Sequence, residues 1–497
     1  MDYLHLFTEP MLLVWLAVGV FAGVYTGAIP GLSGTMAVSL LVSMTYGWDA
    51  EPALCLMLGV YVGVVFGGSR SAILLNIPGA PAAVATGLDG YPLAKKGRAG
   101  ETMAAAAIQS VAGTVLGALA LLLCAPLLSK LSLKFRSVDY LLLAILGMLT
   151  VGSLSSKSLL KGVLSAALGV LVGCVGMDPV TAVKRFTFGS VYLNGGVSFV
   201  VALIGLFGAG EAFCILKQKN AKPVMQKSGR IVPPMKEIIK YIPLTLRSAL
   251  IGIVTGVLPG AGGDIAALLA YDSAKRSVKH PSAPFGEGTI EGVIAPETAN
   301  NAAIGGAFIP MLTLGIPGDS ITAILIGALT IHGFRPGPDF MTQSPGIFSL
   351  VVTGLIAAAL LTLLFGLTGI RLFTKLCELP PERLMPMILV LSAVGAYAIN
   401  NNVYDVIWMF GFGVLGCFMK QYGFPTAPMV LGIILSDLLE TNYIRMVRLS
   451  GSFGAALLSV FESPISVCLL ILPVLFVILP MIRKRAKGFT KDKYKVH

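Results

Sequence analysis

Pro-Gly pairs interrupt the most apolar stretches of this chain at four places, and the four places form two matching sets. Gly23-Val-Tyr-Thr-Gly-Ala-Ile-Pro-Gly-Leu-Ser-Gly is echoed by Gly252-Ile-Val-Thr-Gly-Val-Leu-Pro-Gly-Ala-Gly-Gly. Asn76-Ile-Pro-Gly-Ala-Pro is echoed by Gly315-Ile-Pro-Gly-Asp-Ser. Proline lacks an N–H and clashes with the preceding turn, so it ends or kinks a helix. The adjacent glycine tolerates backbone angles closed to other residues. Paired helix breaks at corresponding positions of two halves point to the binding site of a secondary transporter.

The surrounding sequence sets the solvent. Hydrophobic residues make up 56% of the 497 and charged residues only 12%, about half the charge of a soluble domain. The apolar runs are long and continuous, which excludes the alternation of a membrane β-barrel. The expected fold is an all-α polytopic membrane protein. Its candidate spans are 11–29, 53–67, 103–128, 140–154, 159–176, 197–216, 241–258, 302–315, 321–333, 346–370, 384–399, 404–419, 426–439, 452–463 and 464–482. Several are shorter than the roughly 20 residues of a full crossing, so re-entrant hairpins or broken helices are expected at the Pro-Gly motifs.

Aligning 23–41 with 252–270 gives 8 identities in 19 positions, and 67–79 with 306–318 gives 5 in 13. The offset between the halves grows from 229 to 239, which places about ten extra residues in Ser273–Gly288. The predicted organisation is a first repeat at 1–216, a basic linker at 217–240, a second repeat at 241–463, an extra membrane helix at 464–482 and a basic tail at 483–497. Linker and tail each carry seven Lys/Arg and one acid, which together account for the whole net charge of +12. Basic loops of this kind lie on the cytoplasmic side, and no nucleic-acid partner is expected. No Lys or Arg precedes Arg70, so 11–29 reads as a retained helix entering from outside. An odd number of crossings then separates the N-terminus from the linker, and the two repeats become inverted copies.

The chemistry of the breaks follows from what restarts each helix. Ser33-Gly34-Thr35 follows Pro30-Gly31, and Gly262-Gly263-Asp264 follows Pro259-Gly260. A helix N-terminus facing a cavity offers unpaired N–H groups and partial positive charge to an anion. The candidate substrate-binding residues are Gly31, Ser33, Gly34, Thr35, Asn76, Pro78, Gly79, Pro259, Gly260, Gly263, Pro317, Gly318 and Ser320. Asp264 suits a cation, and so do Asp319, Asn300 and Asn301, as coupling-ion candidates. In Ala-Pro-Glu-Thr-Ala-Asn-Asn the spacing puts Glu297 on one helical face with Asn300 and Asn301, at the mouth of an apolar run. Carboxylate and amide oxygens suit a hard cation such as Na⁺. Competing structural readings are ligand-free hinge kinks, helix capping by Asp319 and Ser320, and a capped, loop-exposed helix start at Glu297. Arg70 is placed either to pair with a substrate carboxylate or to snorkel to an interface, and His332 reads as a loop histidine.

An enzyme is the alternative from another class. No G-x-S-x-G elbow, HExxH or P-loop occurs, and none of the four histidines lies beside a nucleophile. The seven cysteines stand singly, without the spacing of a metal site or a disulfide framework. No cofactor is expected, with Na⁺ as the candidate coupling ion. An ion or anion channel is a third reading, although channels tend to repeat by oligomerisation and this chain carries its duplication internally.

The tract Gly27–Gly34, the run from Asn76-Ile-Pro-Gly to Asp89-Gly-Tyr-Pro-Leu-Ala-Lys-Lys-Gly-Arg-Ala, and the run from Ala295-Pro-Glu-Thr-Ala-Asn-Asn to Leu314-Gly-Ile-Pro-Gly resemble the large membrane subunit of the tripartite tricarboxylate transporters. The likeness extends over roughly 10–480. It implies a bacterial inner-membrane permease, multi-pass, importing carboxylates in symport with Na⁺ or H⁺. It also implies two partners, a small four-helix membrane subunit and a periplasmic solute-binding protein.

Overall fold

Helices end where the sequence places Pro-Gly and resume within a few residues. The computed structural model describes residues 2–29, 32–154, 158–178, 180–217, 239–260, 262–368 and 381–473. Pro30, Gly31, nearly all of the 217–240 linker, the end of 464–482 and the 483–497 tail lie outside the described residues. In chain order the main helices are α1 (Pro10–Ala28), α2 (Gly34–Met44), α3 (Ala50–Leu75), α4 (Ala83–Leu93), α5 (Ala99–Ser132), α6 (Ser137–Leu154), α7 (Leu159–Gly173) and α8 (Gly210–Lys217). They continue with α9 (Ile242–Val257), α10 (Gly262–Ser277), α11 (Glu291–Leu314), α12 (Ser320–Ile331), α13 (Pro345–Thr368), α14 (Pro381–Asn400), α15 (Val403–Gln421), α16 (Thr426–Ser450) and α17 (Pro464–Pro473). Among the described residues the strand content is a two-residue antiparallel ladder, β1 (Gly176–Met177) with β2 (Lys184–Arg185). The protein is an all-α membrane protein: six described helical stretches are long and apolar enough to cross a bilayer, or seven if the bent pair at 426–462 counts as one span.

Two compact units emerge, one of residues 1–130 and 200–422, the other of 131–199 and 423–497. In the second, α7 packs on α16 through glycines, with Gly169 against Met429 and Gly432 against Ala166 and Val170. Arg185 forks onto Glu440 there, its Nη2 2.7 Å from Oε2.

The first unit contains all four helix breaks. Glycines let two helix pairs in it approach to backbone contact. Gly23 and Gly27 of α1 face Val60 and Val64 of α3, and Gly252 and Gly256 of α9 face Ala299 and Ala303 of α11. Small residues four apart make such ridges in membrane helices. The contacts match under the offsets of 229 and 239: Gly23 corresponds to Gly252 and Val60 to Ala299, Gly27 to Gly256 and Val64 to Ala303. The helix ends match as well. Asn76 (φ 57°) and Gly315 (φ 71°) both take the left-handed C-cap conformation. The following amides turn back in the same pattern, Ile77 to the Ser71 carbonyl and Ile316 to the Pro310 carbonyl, a Schellman closure that uses otherwise unpaired carbonyls.

One expectation is corrected, and the place of the extra residues is refined. The 302–315 segment is only the C-terminal half of α11, which begins at Glu291. Glu297, Asn300 and Asn301 therefore lie inside a buried helix, not at its mouth. Pro296 and Pro310 are accommodated within it, as neighbouring helices permit in membrane proteins. The extra residues of the second half extend α10 to Ser277 and form the connection 278–290, against 45–49 in the first half.

Candidate functional site

The Pro-Gly tips of the two halves meet inside the first unit. After Pro259, Gly260 (φ 74°) donates its N–H to the Gly318 carbonyl at 2.7 Å. Gly318 is seated so closely that a Cβ would lie 2.5 Å from both the Gly256 oxygen and the Ala307 Cα. Gly79 holds the corresponding seat, against the Gly27 carbonyl and the Gly68 Cα. Only glycine admits a backbone this near.

Contacts then cross between the halves. The Ala82 amide, at the start of α4, donates to Asp264 Oδ1 at 3.1 Å. Gly34, at the start of α2, lies against Ile321 of α12. Ala82 and Ile321 are 239 apart, and Gly34 and Gly263, the neighbour of Asp264, are 229 apart, so each half inserts the same hairpin position against the other half's restarting helix. Gly263 in turn rests on the Asn300 side chain. Asp264 is exposed, and Ser33, Gly34, Thr35, Gly263, Asp319 and Ser320 are each partly exposed.

Asp319 has a structural duty and a second contact. Its Oδ1 accepts from the Thr322 amide at 2.7 Å while Thr322 Oγ1 accepts from the Asp319 amide at 2.9 Å, a capping box that starts α12. Its other oxygen accepts from the Tyr61 hydroxyl. Ser33 caps α2, accepting from the Met36 amide at 3.1 Å. It pairs with Thr35 Oγ1 at 2.8 Å and donates to Glu211 Oε2. Glu211 Oε1 accepts from Lys420 Nζ at 2.6 Å.

The predicted residues thus divide. Gly34, Gly260, Gly263, Asp264, Asn300, Gly318 and Asp319 come together at the crossing of the tips. Asn76 and Pro78 instead line a cavity of about 410 Å³ along α4, with Tyr91 and Lys95 at its far end. Asn301 is fully buried on the α5 side, its amide nitrogen 3.0 Å from Ser110 Oγ. Arg70 is buried as well, neither at an interface nor at the tips, with its guanidinium on the Gly366 carbonyl and 4.5 Å above the Phe66 ring. His332 caps the end of α12.

Tyr61, Glu211 and Lys420 were not among the predicted residues. Glu211 carried a readable signal, an acid within an apolar run. It lies two residues after a π-helical turn at Ile204–Ala209, a local distortion frequent at functional sites. Tyr61 has no such signal, being one aromatic in an apolar helix.

Comparison with known proteins gives one consistent result. The model of the tripartite tricarboxylate transporter TctA family matches residues 13–431. An uncharacterized 52.8 kDa protein in the TAR-I ttuC' 3'region of Agrobacterium vitis is 37% identical over 488 residues, 97% of this chain and 96% of the relative. An uncharacterized protein in the TAR-II ttuC' 3'region of the same organism is 38% identical over 245 residues, 48% of this chain and 100% of the relative. No solved structure is significantly similar.

Proposed function

The chain belongs to the tripartite tricarboxylate transporter TctA family, a family of transporters and not of enzymes, and from that premise and the crossing of the tips we propose a secondary-active carboxylate importer built from two inverted repeats. The reading is carried by the reciprocal contact of the halves, Ala82 on Asp264 and Ile321 on Gly34. Substrate carboxylates are received by the N–H groups and hydroxyls of the tips, at Gly31, Ser33, Gly34, Thr35, Gly79, Gly260, Gly263, Gly318 and Ser320. Helix starts supply unpaired donors and partial positive charge without a cationic side chain. Asn76, Pro78, Pro259 and Pro317 shape the hairpins that present them.

Asp264, Asp319, Asn300 and Asn301 bind or respond to the coupling cation, Na⁺ or H⁺. The membrane is the bacterial inner membrane, with the N-terminus periplasmic and the C-terminus cytoplasmic. A small membrane subunit and a periplasmic solute-binding protein complete the transporter. Movement of the hairpin-bearing part against a scaffold that includes α13 alternates access.

The test is uptake of a carboxylate panel into proteoliposomes holding the membrane subunits, with binding protein outside, with and without an imposed Na⁺ gradient. Concentrative uptake of at least one carboxylate is expected, and Asp264→Asn weakens its cation dependence. Large ohmic current without concentration, or a chemically altered substrate, sinks the proposal.

A further inference from the structure

Among the described residues, the buried oxygens without a hydrogen-bond partner include Asn301 Oδ1 and Thr114 Oγ1. In a membrane interior an unpaired polar atom costs on the order of kcal/mol, because no solvent replaces the partner. The two orphans flank one constellation. Glu297 Oε1 accepts from Thr86 Oγ1 of α4 at 2.5 Å, and Oε2 accepts from Ser110 Oγ of α5 at 3.1 Å. Asn301 Nδ2 donates to Ser110 Oγ at 3.0 Å and to the Glu297 carbonyl at 2.9 Å, which identifies its other atom, the orphan, as the oxygen. Thr114 stands one turn beyond Ser110 on the same face of α5. Thr86, Ser110, Thr114, Glu297 and Asn301 are each at most 1% exposed.

The unpaired atoms of Asn301 and Thr114 are oxygens, and the set of five carries one carboxylate. Arg70 of α3 lies within electrostatic reach of that carboxylate, its guanidinium held by the Gly366 carbonyl and the Phe66 ring. No group of three or more His, Cys, Asp or Glu side chains is placed to hold a metal ion among the described residues. A hard, oxygen-only donor set, its one carboxylate partly offset by the Arg70 charge, matches a small monovalent cation better than a divalent or transition metal.

The duplication supplies an independent comparison. At the 239-residue offset, Glu297 and Asn301 correspond to Leu58 and Val62, while Ser110 and Thr114 correspond to Ser349 and Thr353. In that copy the hydroxyls turn back on their own helix, Ser349 to the Gly346 carbonyl at 2.9 Å and Thr353 to the Ser349 carbonyl at 2.8 Å. The fold therefore does not require the polar set, which exists in one half only.

We infer that Glu297, Asn301, Ser110 and Thr114 bind one dehydrated Na⁺ between α5 and α11, with Thr86 orienting the carboxylate. The inference rests on the transport reading and narrows its cation site: Glu297, Ser110 and Thr114 join Asn301 as ligands. Asn301 Oδ1 and Thr114 Oγ1 gain the partner they lack, and the Ser110 hydroxyl turns its lone pair to the ion.

Equilibrium binding of ²²Na⁺ to the purified full-length chain tests this without any need for transport. Saturable binding is expected, displaced by unlabelled Na⁺ and not by K⁺. Glu297→Gln and Asn301→Ala weaken it by about ten- to hundredfold, the range for a lost ligand or ligand-orienting group, and Ser110→Ala weakens it while Ser349→Ala does not. Asn301→Asp keeps the volume and adds a charge, so it makes Ca²⁺ an effective competitor. Absence of saturable binding in the unmodified chain overturns the inference, as do Glu297→Gln and Asn301→Asp variants that bind like the parent. Na⁺ binding without carboxylate uptake refutes the transport reading instead, and proton-driven uptake without Na⁺ binding refutes only the site.

Discussion

Gly318→Ala is the sharpest probe of how the tips are seated. The added methyl lies 2.5 Å from the Gly256 oxygen and 2.5 Å from the Ala307 Cα. Both are backbone atoms of packed helices, so neither neighbour can rotate away, as a side chain would. Overpacking of this kind costs about 1–3 kcal/mol. At roughly 2 °C per kcal/mol for a large domain, the melting temperature in detergent falls by about 2–6 °C. Gly79→Ala is expected to fall by a similar amount, because its Cβ meets the corresponding atoms of Gly27 and Gly68. Gly411 of α15 is the control. Nothing lies within 4 Å of a Cβ there, so alanine gains helix propensity, up to about 1 kcal/mol. A thermal-unfolding series read by intrinsic fluorescence separates these signs. If Gly318→Ala melts at or above the parent temperature, as Gly411→Ala does, the close seating of the tip is wrong and the structural equivalence of the two tips loses its basis.

Tyr61→Phe removes the hydroxyl that reaches Asp319 but leaves the Thr322 capping box intact. A loss of about 1.5–3 kcal/mol, the range for a hydrogen bond to a charged group, is expected in denaturant unfolding, and an unchanged midpoint contradicts the contact. Asp89 Oδ1 accepts the amides of Gly286, Gly288 and Thr289 at 2.8–3.0 Å, so Asp89→Ala leaves three donors unpaired. Faster hydrogen exchange confined to 278–290 is expected, and unchanged protection there refutes this anchoring. Before the first span, His5 is held above its usual value by its hydrogen bond to Glu51. The pair is therefore fully formed below about pH 6.5, and its contribution is lost as pH rises through the raised value. Both side chains are partly exposed, so the gain stays under about 1 kcal/mol, and a His5→Ala variant whose deficit grows from pH 6 to pH 9 contradicts that sign.

Local rules carried the architecture a long way. Proline and glycine act over one or two residues, so the helix breaks at 29–33, 76–82, 258–261 and 315–319 were legible before any contact was known. The left-handed caps at Asn76 and Gly315 belong to the same class, since these two residue types tolerate that conformation at least cost. What local rules do not contain is the partner across the fold. Asp264 reads as a lone acid at a helix start, and only the tertiary structure brings the Ala82 amide to it. Glu297 was misplaced for a related reason. Pro296 argues locally for a helix boundary, yet the buried helix runs through it from Glu291 to Leu314.

The duplication holds more of the site than the Pro-Gly motifs alone disclose. The motif-centred alignment stops at Gly67 and Gly306, where the identities thin out. Carried two turns further back along α3 and α11, the same offset sets Leu58, Tyr61 and Val62 beside Glu297, Asn300 and Asn301. Positions three and four apart share a helical face, so each trio forms one stripe, apolar with a single hydroxyl in one half and oxygen-rich in the other. Both stripes reach across to the opposite half, Tyr61 to Asp319 and Glu297 to Thr86 and Ser110. Packing constraints common to the two copies account for the glycines and alanines that repeat. They do not account for oxygens that appear on one copy, and those are the oxygens of the proposed Na⁺ site.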